Sequence, residues 1–399
     1  MKRTIIIGGG TFNHVRNHLS LAAPAFGSVA KMLNMFIKDS ELVLTKMADS
    51  RSQIVTNQDI SDYINELLLD KNVGTIVLSA AICDYELSEH KDIISGSHAE
   101  RFKTKNGSIN LELQPSDKII SKIRLARPDI FLVGFKTTTG ATSEEQYYNA
   151  LKFMKSTKCN LVLANDVVSR NNMMIVPEEA KYVETTNRTK SIICLADMII
   201  MRHRLTYNTT KLRIASNYPM VETALNFQEV IAFLTDNGGF IEDNGNGFTP
   251  GHFCWKIGEN TFASSQRKAD HNKVFEKGLT LVNITNDSDE IIAFGSKKPS
   301  VGATSQRMLF KEYSEYDCIV HTHNPIKENS EMNQVSQKPY QCGSLECGNN
   351  TLKGMRFKDG IGAVYLIKHG TNILFKSSDD PNKIIKFIKD NIQLGVKVQ

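Results

Sequence analysis

In the first half of the chain, apolar residues follow two alternating rhythms. Nearly continuous apolar runs at 41–45, 75–78, 130–133 and 161–164 read as strands buried on both faces. Between them, 28–37, 60–69, 117–125 and 144–154 carry apolar positions at helical spacing, and Ser116 is placed to cap the third of these helices. Strand and helix alternate, which predicts a doubly wound, parallel-sheet α/β domain of Rossmann-like kind. Residues 191–204 read as a closing helix, and 205–218 as a polar connector rich in Asn and Thr, with Pro219 reinforcing the break. The expected division is a domain over 1–205, a linker over 206–219 and a second α/β domain over 220–399. No internal repeat is visible, and each half is long enough to bury its own core.

In the second half, the apolar run Cys318-Ile319-Val320 leads into His321-Thr322-His323. Side chains alternate along a strand, so both imidazoles point the same way. Asn324-Pro325 then ends the strand, which places the pair at an element end, where sites open to solvent. A second apolar run, 363–367, closes on His369-Gly370 and can lie on a neighbouring strand. Three neutral imidazoles with an open fourth position suit a catalytic zinc, at Zn–N distances of about 2.0–2.1 Å. An isolated His-x-His also fits an ordinary polar strand end.

The ordered motifs around these histidines resemble the class II aldolase/adducin family from Phe227 to the C-terminus. They are Gly245-Asn246, Ser264-Ser265, Pro299-Ser300 through Ser305, a helix over 308–313, His321-Thr322-His323, Pro339-Tyr340, Gly343-Ser344-Leu345-Glu346 and Lys368-His369-Gly370. The resemblance implies that His321, His323 and His369 hold a divalent ion, most simply Zn, and that Asn246, Ser265, Thr304 and Ser305 contact a substrate phosphate. A Lewis acid stabilises the developing oxyanion while fixed donors anchor the remote anion. The family's proton-transfer carboxylate is missing, because its position falls on Ser305 or Gln306. Glu346 is the substitute candidate for that general base, and a solvated loop glutamate is the competing reading.

The first apolar run, Thr4-Ile5-Ile6-Ile7, ends in Gly8-Gly9-Gly10-Thr11. Glycine lets backbone N–H groups approach a phosphate, and ligands of doubly wound sheets bind beyond the carboxyl ends of the strands. The third fingerprint glycine and a Walker lysine are absent, so a tight turn explains the triplet equally well. Four further motifs resemble phosphopantothenoylcysteine synthetase, a CTP-dependent ligase family: Ala80-Ala81-Ile82-Cys83-Asp84-Tyr85, Arg101-Phe102-Lys103-Thr104-Lys105, Val133-Gly134-Phe135 and Ala164-Asn165-Asp166-Val167. That resemblance implies CTP with Mg as a substrate, bound by Gly9, Gly10, Arg16, Ala81, Asp84, Phe135, Asn165 and Asp166. Lys103 is then the catalytic cation that neutralises phosphate charge. Where the family has Ser-Asn-x-Ser-Ser-Gly, this chain has Ser20 at the asparagine and Ala22-Ala23-Pro24 before Gly27, unless Asn17 substitutes through a shifted loop. Phosphopantothenate is therefore not the expected acid.

Composition narrows the setting. A net charge of +5 without a long basic block suits small phosphorylated anions and a nucleotide, not nucleic acid. Seven scattered cysteines point to a reducing compartment. No apolar run approaches the roughly 18 residues of a bilayer span, and Met1-Lys2-Arg3 opens no signal peptide. The expectation is a cytoplasmic bifunctional enzyme without a membrane partner, joining a CTP-dependent ligase-like domain to a metal-dependent aldolase. The alternative is a sugar-phosphate epimerase or dehydratase whose N-terminal domain is a degenerate binding module. Both resemblances imply a homo-oligomer, dimer or tetramer.

Overall fold

Strand Arg3–Gly8 pairs in parallel with Ser40–Leu44 on one side and Val73–Leu78 on the other. Phe131–Thr138 and Leu161–Asp166 continue the parallel run, and an antiparallel hairpin, Asn172–Ile175 with Lys181–Thr185, finishes that edge. In this computed structural model the described residues are 2–397, apart from 89–95, 178–180, 204, 206, 208, 214–222, 243–248, 272–277, 285–289 and 338–342. Numbered along the chain, the parallel strands lie in the order 2-1-3-4-5. Such a sheet reverses direction between its first and third strands, and that crevice is where doubly wound folds bind ligands.

Every residue of Val73–Leu78 is buried because helices cover both faces of the sheet. Asn57–Leu69, Ile119–Ala126 and Ser143–Thr157 pack one core, while Ser28–Phe36 and Arg188–Arg202 pack the other. Two of these helices start at capping boxes, Thr56 with Asp59 and Thr142 with Glu145, in which side chain and backbone satisfy each other's orphan donors. The Thr56 box starts its helix at Asn57, three residues before the periodicity alone indicates. Ser116 does not cap the third helix. That helix begins at Ile119 with Lys118 at its N-cap and no side-chain bond, while the Ser116 N–H is held by the Asp84 carbonyl after the short strand Leu113–Pro115.

The chain divides into two units, Met1–Tyr207 and Asn208–Gln399. Within the stretch expected as a linker, Thr209–Arg213 is a strand that pairs in parallel with Glu290–Phe294. It forms the edge of the second unit's ten-stranded sheet. A polar edge strand has the composition of a connector, so only its partner distinguishes the two. The centre of this sheet is antiparallel: Thr261–Ser265, His252–Gly258, Cys318–Thr322, Gly370–Phe375 and Ile361–Ile367 are successive neighbours.

Helix Leu225–Asp236 buries Phe227, Val230, Ile231 and Leu234, a helical stripe, and packs on one face together with Pro381–Asn391. Helices Ala303–Glu312 and Leu345–Gly354 cover the other face. Cys318 and Val320 point to the first core and Ile319 to the second. Alternation therefore turns His321 toward the face covered by Ala303–Glu312.

Candidate functional site

His321 is the fourth residue of Cys318–Thr322, and His323 follows the end of that strand. His369 lies in the tight turn joining Ile361–Ile367 to Gly370–Phe375, and Gly370–Phe375 pairs directly with the histidine strand. The turn needs glycine: Gly370 has φ 143°, and a Cβ there would fall 2.0 Å from the Thr322 carbonyl oxygen. Lys368 also sits at positive φ, 64°. The three rings converge, with centroids 4.9 Å apart for His321–His323 and 5.0 Å for each of the other pairs. One nitrogen from each lies within 4.8 Å of the others, a spread that one divalent ion can bridge.

His321 is 2% exposed, and neither of its ring nitrogens has a hydrogen-bond partner; the Thr371 backbone lies near without bonding geometry. An orphaned buried imidazole is costly unless something else takes its lone pair. Burial, followed by repulsion from His252 and the other imidazoles, holds His321 well below the usual histidine range. Burial, then repulsion from His369 and Lys397, pushes His323 down to about 3, and burial pushes His369 down to about 4. The trio is therefore neutral at pH 7, the form that ligates. Donor type, orphaned nitrogens and convergence all fit a zinc-type ion.

Two residues that the sequence reading did not single out complete the surroundings. His252 pairs in register with His321 on the adjacent strand, and the rings stack at 4.7 Å. His271 stacks on Phe240 at 4.7 Å and bonds Thr249 Oγ1 through Nδ1. Burial pushes it down to about 4. Each is a lone histidine in the sequence, without the spacing that marked the trio. Gln306, where a carboxylate was sought, bonds His252 through its amide nitrogen at 2.7 Å.

The expected phosphate contacts do not line an open anion site. Ser265 is fully buried, and its Oγ accepts the Phe253 N–H. Thr304 donates to the Gly343 carbonyl and Ser305 to the Cys347 sulfur, both inside the packing of Ala303–Glu312 on Leu345–Gly354. That helix starts five residues earlier than the 308–313 stretch read from sequence, which turns these hydroxyls inward. Asn246, with Gly245, and Pro339-Tyr340 lie outside the described residues. Glu346 sits half-buried in the first turn of Leu345–Gly354, whose N-cap is Ser344. It is not part of the group at ligand range.

In the first unit, Gly9, Gly10 and Ala81 meet at the point where the sheet reverses. Gly10 bridges Ala81, the Ala81 N–H donates to the Gly9 carbonyl at 2.9 Å, and the Thr11 N–H donates to the Ala81 carbonyl at 3.1 Å. Arg16 projects from the hairpin Phe12–Arg16 with Leu19–Ala22 and lies over the Phe102 ring at 4.6 Å. Neighbouring Lys103 is exposed. Asp84, also exposed, pairs with Lys118 at 2.7 Å. Phe135 and Asn165 lie on the adjacent parallel strands Phe131–Thr138 and Leu161–Asp166, and Asn165 accepts from Thr137 Oγ1 at 3.3 Å.

Asp166 departs from its expected place at the nucleotide. Its carboxylate accepts from the Ser169, Val168 and Ala141 N–H groups and from the Thr138 and Ser169 hydroxyls. Those bonds, led by the Ser169 N–H, hold it below the usual carboxylate range. It organises the loop instead. Ser20, at the position of the family asparagine, bonds His14 Nδ1 at 2.8 Å across the hairpin.

A family model described as the DNA/pantothenate metabolism flavoprotein C-terminal domain matches residues 36–199. The coenzyme A biosynthesis bifunctional protein CoaBC of Thermococcus kodakarensis is 28% identical over 174 residues, 41% of this chain and 41% of that protein. The chain thus spans about two fifths of that curated relative's length. The DNA/pantothenate metabolism flavoprotein of Streptococcus pneumoniae is a structural neighbour at 20% identity and TM-score 0.42, over 50% of this chain and 97% of the other. An L-fuculose 1-phosphate aldolase is another, at 15% identity and TM-score 0.31, over 43% of this chain and 85% of the other. The family model and the curated relative agree with the resemblance drawn from the motifs of the first half.

Proposed function

We propose that the chain is a bifunctional enzyme whose C-terminal unit is a zinc-type, metal-dependent aldolase acting on a phosphorylated sugar or hydroxy acid. The observation that carries this reading is the convergence of His321, His323 and His369, with both His321 nitrogens orphaned. When bound there, a divalent ion supplies a Lewis acid for a carbonyl or enediolate oxygen. The chain's own part is to present three neutral imidazoles from a strand end and a hairpin turn. Glu346 is the proposed proton-transfer group, since general-base work needs a carboxylate within reach of the substrate.

Purified protein should contain one divalent ion per chain, and His321→Ala should remove it. Glu346→Gln should keep the ion and lower aldol cleavage by about 10²–10⁴-fold, the usual contribution of a general base; unchanged turnover would exclude Glu346.

The N-terminal unit is proposed as a CTP-dependent, carboxylate-activating ligase-like domain, with Mg accompanying the nucleotide. Gly9, Gly10 and Ala81 support this by meeting where doubly wound sheets take ligands. Lys103, in one of the family motifs, and Arg16, over the Phe102 ring of the same motif, bring positive charge. One observation favours the second reading, an epimerase or dehydratase with a degenerate N-terminal domain: the Ser20 hydroxyl is engaged by His14. An assay for release of a small aldehyde separates the two, because only aldol cleavage yields one.

A further inference from the structure

We propose that His252 is the positioning residue of the metal site, acting through His321 and itself fixed by Gln306, Ser264 and Gly302. A ligating histidine usually has its other ring nitrogen hydrogen-bonded, which sets the ring's orientation. His321 has no such bond on either nitrogen. What holds it is a sandwich of rings: His252 on one side at 4.7 Å and 25°, His369 at 5.0 Å and 30°.

His252 is well placed to hold another ring because it is held itself. It is 4% exposed, and its Nδ1 lies 2.7 Å from the amide nitrogen of the fully buried Gln306. Gln306 also bonds Ser264 Oγ at 2.9 Å, so the amide that holds His252 is itself held. The opposite edge of the ring carries Nε2. On that side the ring packs against Gly302, where a Cβ would fall 2.1 Å from Nε2. Gly302 has φ −66°, a conformation open to any residue. Space for the His252 ring, not backbone conformation, is therefore what requires glycine at 302.

The inference rests on the reading that the trio binds metal, and it is tested on the full chain with Co²⁺, whose visible absorption reports ligand geometry without catalysis. Wild-type protein should bind one Co²⁺ per chain, and His321→Ala should abolish binding. His252→Ala and Gly302→Ala should each keep one site but weaken it by about 10–100-fold, the usual loss when a supporting residue is removed, with a shifted absorption band. Both changes act through one ring, so the double variant should be no weaker than His252→Ala alone. Thermal melts of the metal-free variants confirm folding, and Gly302→Ala carries the test if His252→Ala fails to fold. Wild-type affinity and spectrum in the folded variants would overturn the positioning role alone. Absence of Co²⁺ binding by the wild type, or its persistence in His321→Ala, would overturn the metal reading and this inference with it.

Discussion

His271 shows at the scale of one residue how burial becomes pH dependence. Its folded-state pKa of about 4 lies below the ordinary 6.5, so between those values the unfolded chain binds a proton that the folded chain refuses. Stability is complete above pH 6.5 and is lost as pH falls toward 4. For a group this buried the loss amounts to roughly 3 kcal/mol at about 1.36 kcal/mol per pKa unit. Urea denaturation at pH 7, 5.5 and 4 should show the decline, and His271→Phe should make it shallower by that share, the other buried histidines keeping theirs. A slope unaltered in that variant would remove His271 as a cause. Single residues also mark what the sequence hid. Nothing in Gly251-His252-Phe253 separates a core histidine from a neighbour of the metal ligands, because the strand pairing that opposes it to His321 is not local.

Elements were legible where local chemistry is strong. The five parallel strands and their helices follow from apolar runs and helical periodicity, whereas the Thr56 and Thr142 boxes that start two of these helices were not read from the pattern. Thr142→Ala should destabilise the first unit by about 1 kcal/mol, the typical value of a lost N-cap, measurable as a lower denaturation midpoint; no change would mean that Ser143–Thr157 is held by tertiary packing alone. Legibility failed where an element depends on a distant partner. Thr209–Arg213 is a strand only because Glu290–Phe294 lies beside it. Ser116 has a capping residue's identity, but the turn after Leu113–Pro115 takes up its backbone first. The inward turn of Thr304 and Ser305 likewise follows from where Ala303–Glu312 begins and what packs on it.

For the whole molecule, the division into two compact units leads to the prediction of two separate ligand responses. CTP with Mg should raise the stability of Met1–Tyr207, and Zn that of Asn208–Gln399, each by about 2.7 kcal/mol at 100-fold the dissociation constant. Calorimetry of the full chain should resolve two transitions, with a chelator lowering only the second. A flat CTP titration would remove the ligase-like assignment and leave the aldolase proposal standing. By itself the sequence determined the doubly wound first sheet, and it pointed to the three histidines as one candidate group. Periodicity and ordered motifs are local, so they survive without coordinates. Only the tertiary structure decided that the trio converges, that His252 stacks on His321 and bonds Gln306, and that the expected phosphate hydroxyls and Asp166 face inward. Strand register and helix packing join residues dozens to over a hundred positions apart, and no local pattern encodes which of them meet.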